Sequence, residues 1–276
     1  MNASADRGAR SASRDLERTG LEPSLRDSST PTDSPLLIER RDDRIVATLN
    51  RPDKRNAIDQ ATIDALHALC DELEDEPRTL ILTGAGGVFA SGADIAQLRE
   101  RRAADALAGI NANAFVRVNE LPMPVIAAVE GWALGGGAEL AFAADIRIAT
   151  PDARFGNPET GLGIIPAAGA TWRLKEIVGE ARAAELLLTG RIVDAAEALS
   201  IGLITSVHPA ADLLAEAHAI ADRIARNDRD ATIATKRVLR APRADHPRVD
   251  LESQAVLFES PEKHRRMTEF LERRKK

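Results

Sequence analysis

The sequence predicts an α/β core of alternating strands and helices, followed by a C-terminal region that is almost entirely helical. Short apolar runs typical of buried strands recur between helical patterns up to about residue 207. From residue 181 onward the apolar spacing is helical, and only residues 203–207 interrupt it with a short strand-like run. Elements in this order are typical of an α/β core that carries a helical module at its C-terminal end.

The composition narrows the class of protein. With 44% hydrophobic and 29% charged residues, the 276-residue chain matches a globular protein that buries a large core. Its net charge of −6 gives no support for a nucleic-acid partner or a membrane surface, and no apolar stretch approaches the roughly 20 residues that span a bilayer. Because Cys70 is the only cysteine, no intrachain disulfide can form, and the sequence predicts a reducing, cytoplasmic location.

The first 34 residues differ from the rest of the chain, since they are rich in Ser, Asp, Arg, Thr and Pro and almost lack large apolar residues. They contain no apolar segment typical of a secretory signal, and their acidic residues argue against a transit peptide. We therefore predict a disordered extension over residues 1–34, an ordered core over residues 35–207 and a helical region over residues 208–276.

The N-terminal half is predicted to repeat strand and helix segments. The pattern indicates two strands around a turn at Asp42 and Asp43, and helical spacing begins near Asp59. Pro122 and Pro124 end a long predicted helix before the strand that leads into a glycine run. The predicted segments are strands at 36–41, 44–49, 79–83 and 125–129 and helices at 59–74, 95–100 and 103–120.

The second half begins with a helix that carries Glu139 and then becomes increasingly helical. A strand, a strand-to-turn segment and a loop marked by glycine and proline follow at 146–149, 153–159 and 161–169. The remaining predicted helices cover residues 171–178, 181–188, 194–200, 210–226, 228–239 and 251–273.

The most informative stretch is the glycine run at 131–139, in which Gly135, Gly136 and Gly137 precede Glu139. Glycines let the backbone turn tightly and leave amide N–H groups uncovered by a Cβ, so a ligand can approach closely. A helix that starts at these glycines would point unpaired N–H groups outward at the positive end of its dipole. The sequence therefore predicts a site that holds negative charge beside a carboxylate base. The alternative is that Glu139 is a first-turn acid that only stabilises the helix.

Six groups of motifs occur in a fixed order along the chain. They are LNRPDKRNA (49–57), FASGADI (89–95), PVIAAV (124–129) with GGGAEL (135–140), ADIRIA (144–149), FGNPE (155–159) with GIIP (163–166), and LTGR (188–191) with GL (202–203). In this order and spacing, residues 36–276 resemble the crotonase superfamily, also called the enoyl-CoA hydratase/isomerase family. The resemblance implies a crotonase-like spiral of ββα units with a C-terminal helical trimerisation region, in homotrimers or dimers of trimers.

The resemblance also implies a chemistry. The substrate is expected to be an acyl-CoA thioester, with no metal and no separate cofactor because coenzyme A is part of the substrate. The N–H groups of Ser91 and Gly136 are expected to bind the thioester oxygen. Glu139 is expected to activate a water and Glu159 to deliver a proton to C2, which together hydrate a 2-enoyl-CoA. Further substrate contacts are expected at Lys54, Ala57, Gly92, Ala93, Asp94, Pro166 and Ala167.

Several alternatives stay open at the level of sequence. A Δ3,Δ2-enoyl-CoA isomerase needs only one base, and a dehydratase for a specialised hydroxyacyl-CoA would carry the same two glutamates. A non-catalytic or RNA-binding relative is disfavoured because the helix at 59–74 is acidic rather than rich in lysine. For single residues, Asp94 also fits a helix N-cap and Lys54 a solvated loop.

Two stretches depart from the family's pattern. Ala167 and Ala170 stand where the family usually carries glycines, and their Cβ atoms are expected close to the acyl chain and the catalytic water. Near the C-terminus, Arg266 and Glu269 replace a glycine and an alanine in a segment that is expected to reach the coenzyme A pocket of a neighbouring subunit. The preferred acyl chain therefore does not follow from the motifs.

Overall fold

Two β-sheets form the centre of the fold in a computed structural model that describes residues 33–274. The predicted extension over residues 1–34 lies, except for its last two residues, outside this range. The strands are β1 (Leu36–Arg40), β2 (Arg44–Leu49), β3 (Thr79–Gly84), β4 (Val125–Val129), β5 (Trp132–Leu134), β6 (Ile146–Ala149), β7 (Arg154–Gly156), β8 (Val193–Asp194) and β9 (Ser206–Val207).

The larger sheet has the strand order β1-β2-β3-β4-β6-β9. Its first pair, β1 and β2, is antiparallel, and every later pair is parallel. All five residues of β4 are buried, because parallel strands in the middle of a sheet are covered on both faces. The continuous apolar run that predicted this strand therefore reflects its position in the centre of the sheet.

A smaller sheet with the order β5-β7-β8 lies beside the glycine run. Its strands β5 and β7 pair in parallel, and β7 and β8 pair antiparallel. The sequence did not predict β5 or β8, which are three and two residues long and too short to show a period-2 pattern.

The helices of the first half include a capped helix and a segment broken at a glycine. In α1 (Gln60–Asp75), the Asp59 side chain accepts a hydrogen bond from the Thr62 N–H and caps the helix, next to the point where the sequence predicts its start. The predicted single helix over 103–120 is wrong, because Gly109 adopts a left-handed conformation with φ of 63°. The helices here are α2 (Ile95–Glu100), α3 (Ala103–Leu107), α4 (Ile110–Glu120) and α5 (Gly136–Ala143).

The second half is helical, as predicted, with one further break. The single helix predicted over 251–273 is two helices, since Pro261 lacks an N–H group and begins a new helix after Ser260. Short turns of 3-10 helix cover Pro52–Lys54, Pro158–Leu162 and Arg243–Asp245, and a π-helical turn covers Ala170–Leu174. The α-helices are α6 (Lys175–Val178), α7 (Glu180–Thr189), α8 (Ala195–Ser200), α9 (Ala210–Ala225), α10 (Arg229–Leu239), α11 (Arg248–Phe258) and α12 (Pro261–Arg273).

The larger sheet is covered on both faces. On one face, α1, α4 and α5 contribute to the main apolar core. On the other, α9 buries Leu213, Ala217 and Ala221 against strand residues such as Ile81 and Ile126. By contrast, α12 has no buried residue. None of the helices within residues 33–274 is both long and apolar enough to cross a membrane.

Candidate active site

A cavity of about 530 Å³ opens between two groups of residues. One group, which we call the carboxylate wall, consists of Ala93, Gly136, Glu139 and Glu159. The other, which we call the helix wall, belongs to the α2–α4 segment and includes Arg101, Arg102, Asp105, Ile110 and Asn111. The motifs in the sequence thus supply one side of the cavity, and residues outside the motifs supply the other.

Three consecutive glycines shape the start of α5, and each has a different structural role. Gly135 has a φ of 50° and donates its N–H to the Gly156 carbonyl oxygen at 2.8 Å. A Cβ on Gly137 would lie 2.3 Å from the Ala90 carbonyl oxygen, so only glycine lets α5 pack this closely. Gly136 is the first residue of α5, and its N–H makes no hydrogen bond within residues 33–274.

A second unpaired N–H group lies next to Gly136. The bridge between Ile58 and Ala93 uses the carbonyl oxygen of Gly92 and the N–H of Asp94, which leaves the Ala93 N–H without a partner in the described part of the chain. The Ala93 nitrogen lies 3.5 Å from the position that a Cβ on Gly136 would occupy. Two free amide donors at a helix N-terminus are suited to an oxygen that gains negative charge.

Glu139 lies one turn into α5 and is only 3% exposed. Its Oε1 accepts hydrogen bonds from the backbone N–H groups of Ala168 at 2.7 Å and Ala170 at 3.1 Å. The pKa of Glu139 is raised to about 7, mainly by burial and to a smaller extent by the charge of Glu159, although the two N–H bonds and the Arg173 guanidinium act in the opposite direction. A carboxyl group with this pKa can accept or release a proton near neutral pH.

Glu159 lies on the 3-10 turn after β7 and is 8% exposed. The Asn157 side chain donates its Nδ2 to Glu159 Oε1 at 3.4 Å and to the Gly135 carbonyl oxygen at 3.3 Å. The second oxygen, Oε2, is buried and makes no hydrogen bond to any residue that the structure describes. Burial raises the pKa of Glu159, which its own backbone N–H and Asn157 partly offset. Glu159 therefore favours the protonated form more than an exposed glutamate does.

The family-level match covers most of the chain, since the model for the enoyl-CoA hydratase/isomerase family matches residues 40–276. The short-chain-enoyl-CoA hydratase of Clostridium acetobutylicum is 39% identical over 249 residues, which cover 87% of this chain and 95% of that protein. The chain belongs to the enoyl-CoA hydratase/isomerase family. Membership confirms the resemblance that the six groups of motifs indicated.

Solved structures of this family agree with the fold. The enoyl-CoA hydratase of Bacillus anthracis matches with a TM-score of 0.82 at 31% identity, over 87% of this chain and 96% of that one. A protein of Thermobifida fusca YX, solved in complex with CoA, matches with a TM-score of 0.75 at 31% identity, over 82% and 93% of the two chains. The predicted crotonase-like α/β fold with C-terminal helices is thereby confirmed.

The structure contradicts the predicted role of Ser91 as a backbone donor in this site. The Ser91 N–H donates to the Arg55 carbonyl oxygen at 3.0 Å, so it is not free to bind a ligand, and Ser91 does not line the cavity. Its hydroxyl group donates to the Lys54 carbonyl oxygen at 3.4 Å. Ala93, two residues further along the same extended segment, lines the cavity with a free N–H. The free N–H group on this segment is therefore that of Ala93 and not that of Ser91.

The other predicted substrate contacts fall into two sets. Ala93 and Ala167 line the cavity, whereas Lys54, Ala57, Gly92, Asp94 and Pro166 do not. Lys54 is exposed in a 3-10 turn, and Asp94 caps α2 by accepting a hydrogen bond from the Ala96 N–H at 3.1 Å. Of the two departures near Pro166, Ala167 faces the cavity, while Ala170 is buried and acts on Glu139 through its backbone.

Sequence reasoning missed the residues that hold the two glutamates in place. Asn157 could have been found, because it stands two residues before Glu159 in the FGNPE motif. Ala168 and Ala170 hold Glu139 through their backbone N–H groups, and their residue type carries no signal for that role. The sequence placed Ala93 among the substrate contacts but did not assign it a free N–H group. The sequence also provided no indication of the helix wall: Asp105, Ile110 and Asn111 lie where a single long helix was predicted, and Arg101 and Arg102 directly precede it.

Proposed function

We propose that this chain is an enoyl-CoA hydratase that adds water across the 2,3 double bond of a 2-enoyl-CoA thioester. The observation that carries the proposal is the pairing of two buried carboxyl groups with two free amide donors around one cavity. Hydration needs a base that activates water, an acid that protonates C2 and donors for the oxygen that becomes negative. The carboxylate wall offers two carboxyl groups for the first two tasks and two backbone N–H groups for the third.

In the proposed reaction, ionised Glu139 removes a proton from a water whose oxygen attacks C3. The electrons of the double bond move towards the thioester oxygen, and the N–H groups of Ala93 and Gly136 stabilise the resulting enolate. Protonated Glu159 then delivers its proton to C2, and the enolate returns to a thioester. Glu139 ends protonated and Glu159 ionised, so a proton must pass from one to the other before the next turnover.

The runner-up within the family is a Δ3,Δ2-enoyl-CoA isomerase, which moves one proton and needs one base. Two glutamates, both buried and both lining the cavity, favour hydration over this alternative. The substrate contacts proposed at Lys54, Ala57, Gly92, Asp94 and Pro166 lie outside the cavity lining. They are therefore expected to affect coenzyme A binding rather than the chemical step. We expect no separate cofactor, because coenzyme A arrives as part of the substrate.

The test is turnover of crotonyl-CoA, followed by loss of the enone absorbance. We expect Glu139→Gln and Glu159→Gln each to lower kcat by about 10²–10⁴-fold while acyl-CoA still binds. Glu180→Gln, which changes an exposed glutamate on α7, is the matched control and should retain full activity. Absence of turnover on short, medium and branched enoyl-CoA substrates would contradict the hydratase proposal, and full activity of Glu139→Gln would contradict its role as the base.

We also propose a homotrimer or a dimer of trimers, in which α11 and α12 pack against a neighbouring copy of the chain. Support comes from large apolar side chains that are exposed on these helices, namely Leu251, Val256, Phe258, Met267, Phe270 and Leu271. Light scattering of the purified protein measures the assembly directly, and a monomer would contradict the proposal. The cytoplasmic location stays a prediction from the sequence.

A further inference from the structure

Asn111, in the first turn of α4, has an orientation that its neighbour Arg101 determines. The Asn111 Oδ1 accepts a hydrogen bond from Arg101 Nη1 at 2.8 Å. Because a guanidinium group only donates, the amide oxygen must face Arg101, and the amide NH₂ group must point the other way. The left-handed turn at Gly109 begins α4 anew and places Asn111 on the helix wall of the cavity.

The Asn111 NH₂ group lies close to the two free backbone donors. Its Nδ2 is 3.7 Å from the position that a Cβ on Gly136 would occupy, and the Ala93 nitrogen is 3.5 Å from the same point. The Gly136 nitrogen itself is about 2.5 Å from that point by covalent geometry. Three nitrogen donors thus surround one small region of the cavity, two from the backbone and one from a side chain.

Arg101 can strengthen the third donor. Its guanidinium group is partly buried, and its one side-chain hydrogen bond within residues 33–274 goes to Asn111 rather than to a carboxylate. A positive charge that binds the amide oxygen draws electron density from the NH₂ group and makes its hydrogens better donors. The helix wall therefore supplies a polarised donor that faces the carboxylate wall.

We propose that Asn111 donates a third hydrogen bond to the thioester oxygen as it becomes negative, and that Arg101 positions Asn111 for this contact. The inference rests on the proposed hydratase function, because it assumes a thioester oxygen between Ala93 and Gly136. A donor fixed where charge develops stabilises the transition state more than the bound substrate. Loss of the donor should therefore lower kcat and leave KM nearly unchanged.

The experiment compares Asn111→Leu, which keeps the side-chain size without a donor, with Asn113→Leu as the matched control on the same helix. Asn113 is exposed and does not line the cavity. We expect Asn111→Leu to lower kcat for crotonyl-CoA about 10–100-fold, with KM changed less than about threefold. Arg101→Met should lower kcat by a smaller factor, and Asn113→Leu should have no effect on it.

A second readout reports on the carbonyl without turnover. The absorption band of 4-(dimethylamino)cinnamoyl-CoA moves to longer wavelength as its thioester carbonyl is polarised. We expect the shift on binding to shrink in Asn111→Leu and Arg101→Met and to stay unchanged in Asn113→Leu. If Asn111→Leu does not fold, as judged by circular dichroism, Asn111→Ala takes its place in both measurements.

Two outcomes would overturn the inference. One is an unchanged kcat with an unchanged band shift. The other is an effect on KM alone, which would make Asn111 a contact for the acyl chain. The unsubstituted protein could shift the band, with a smaller shift in Asn111→Leu, and yet hydrate no enoyl-CoA. That result would contradict the hydratase proposal but would still support Asn111 as a third hydrogen-bond donor to the thioester oxygen.

Discussion

The two walls of the cavity are built in different ways. Every residue of α5, which carries Gly136 and Glu139, is buried, whereas α2 and α3 of the helix wall have no buried residue. Gly136 and Glu139 thus lie on a fully buried element. On the opposite side, Arg101 and Arg102 lie on an exposed segment. The helix α4, which carries Asn111, is held by its buried residues Ala114, Phe115 and Val118. Residues of a closely packed wall tolerate few substitutions, whereas exposed residues can be substituted more freely, and such substitutions can alter substrate preference.

The largest effects are expected from two adjacent glycines, Gly136 of the carboxylate wall and Gly137, which packs against Ala90. A Cβ on Gly137 would lie 2.3 Å from the Ala90 carbonyl oxygen, so Gly137→Ala should destabilise the fold by about 1–3 kcal/mol and abolish most activity. A Cβ on Gly136 meets its nearest atom at 3.5 Å, so Gly136→Ala should change stability by less than about 1 kcal/mol. It should still lower kcat about 10-fold or more, because the methyl group occupies the space beside the donors.

Urea unfolding and initial rates on crotonyl-CoA separate the two variants. If Gly136→Ala and Gly137→Ala lost stability equally, the distinction between a packing glycine and a site glycine would be wrong. An active Gly136→Ala variant would place the substrate oxygen elsewhere in the cavity.

The buried base is expected to reduce stability as pH rises. Since the pKa of Glu139 is raised from 4.5 to about 7 in the folded state, the unfolded chain releases this proton first as pH increases. The contribution of Glu139 to the free energy of unfolding therefore falls between about pH 4.5 and pH 7 and stays constant at higher pH. Glu139→Gln, which is always neutral and can still accept both N–H bonds, should be more stable than the unsubstituted protein by about 1–3 kcal/mol at pH 8.

At pH 4.5 the two proteins should unfold at similar urea concentrations, and this comparison is the control. Equal free energies of unfolding at pH 8 would mean that ionising Glu139 does not destabilise the folded protein. The burial of the carboxylate wall would then have no electrostatic consequence for Glu139.

A smaller effect is expected behind the carboxylate wall, at Arg173. This buried guanidinium lowers the pKa of Glu139, and its Nη1 has no hydrogen-bond partner within residues 33–274. Arg173→Met should raise the pKa of Glu139, so the rise of kcat/KM with pH should move to higher pH. At pH 7 we expect a loss of about threefold, which disappears at pH 9. Arg182→Met, on the exposed side of α7, is the control, and a pH-independent loss in Arg173→Met would point to packing instead.

The smallest effect is expected at Arg102, an exposed residue of the helix wall. Arg102 is exposed, and the structure gives it a hydrogen bond through its backbone N–H to Asp105. Arg102→Ala should therefore change kcat/KM for crotonyl-CoA by less than about threefold. A panel of longer and charged acyl chains then shows whether the same variant alters substrate preference. A large loss on crotonyl-CoA would show that Arg102, in addition to the proposed donor Asn111, affects the chemical step.

The carboxylate wall could be predicted because its residues follow motifs with a physical requirement. Gly137 must be glycine for α5 to pack against Ala90, and Glu139 follows at a fixed distance on the same helix. The order of strands and helices was predictable for the same reason, since buried strands such as β4 need continuous apolar runs. The family resemblance added the expected role of Glu159, which lies in a turn where residue type alone indicates a solvated acid.

The remainder depended on information that residue type does not contain. Ser91 and Ala93 lie on the same short segment, and only the hydrogen bond from the Ser91 N–H to Arg55 shows which amide is free. The sequence predicted one continuous helix, but the chain turns at Gly109, and the new helix α4 that begins there places Asn111 at the cavity. Both outcomes are set by backbone dihedrals and tertiary contacts, which periodicity does not report.

The hydrogen bonds to Glu139 link catalysis to heat sensitivity. The base takes both bonds from Ala168 and Ala170, whose backbone belongs to a loop and a π-helical turn rather than to the sheet. Such a segment can open locally at a free-energy cost below that of global unfolding. On warming, the enzyme should therefore lose its base, and with it turnover, while the sheet is still intact. Inactivation would then set the upper working temperature, several degrees below the melting of the fold.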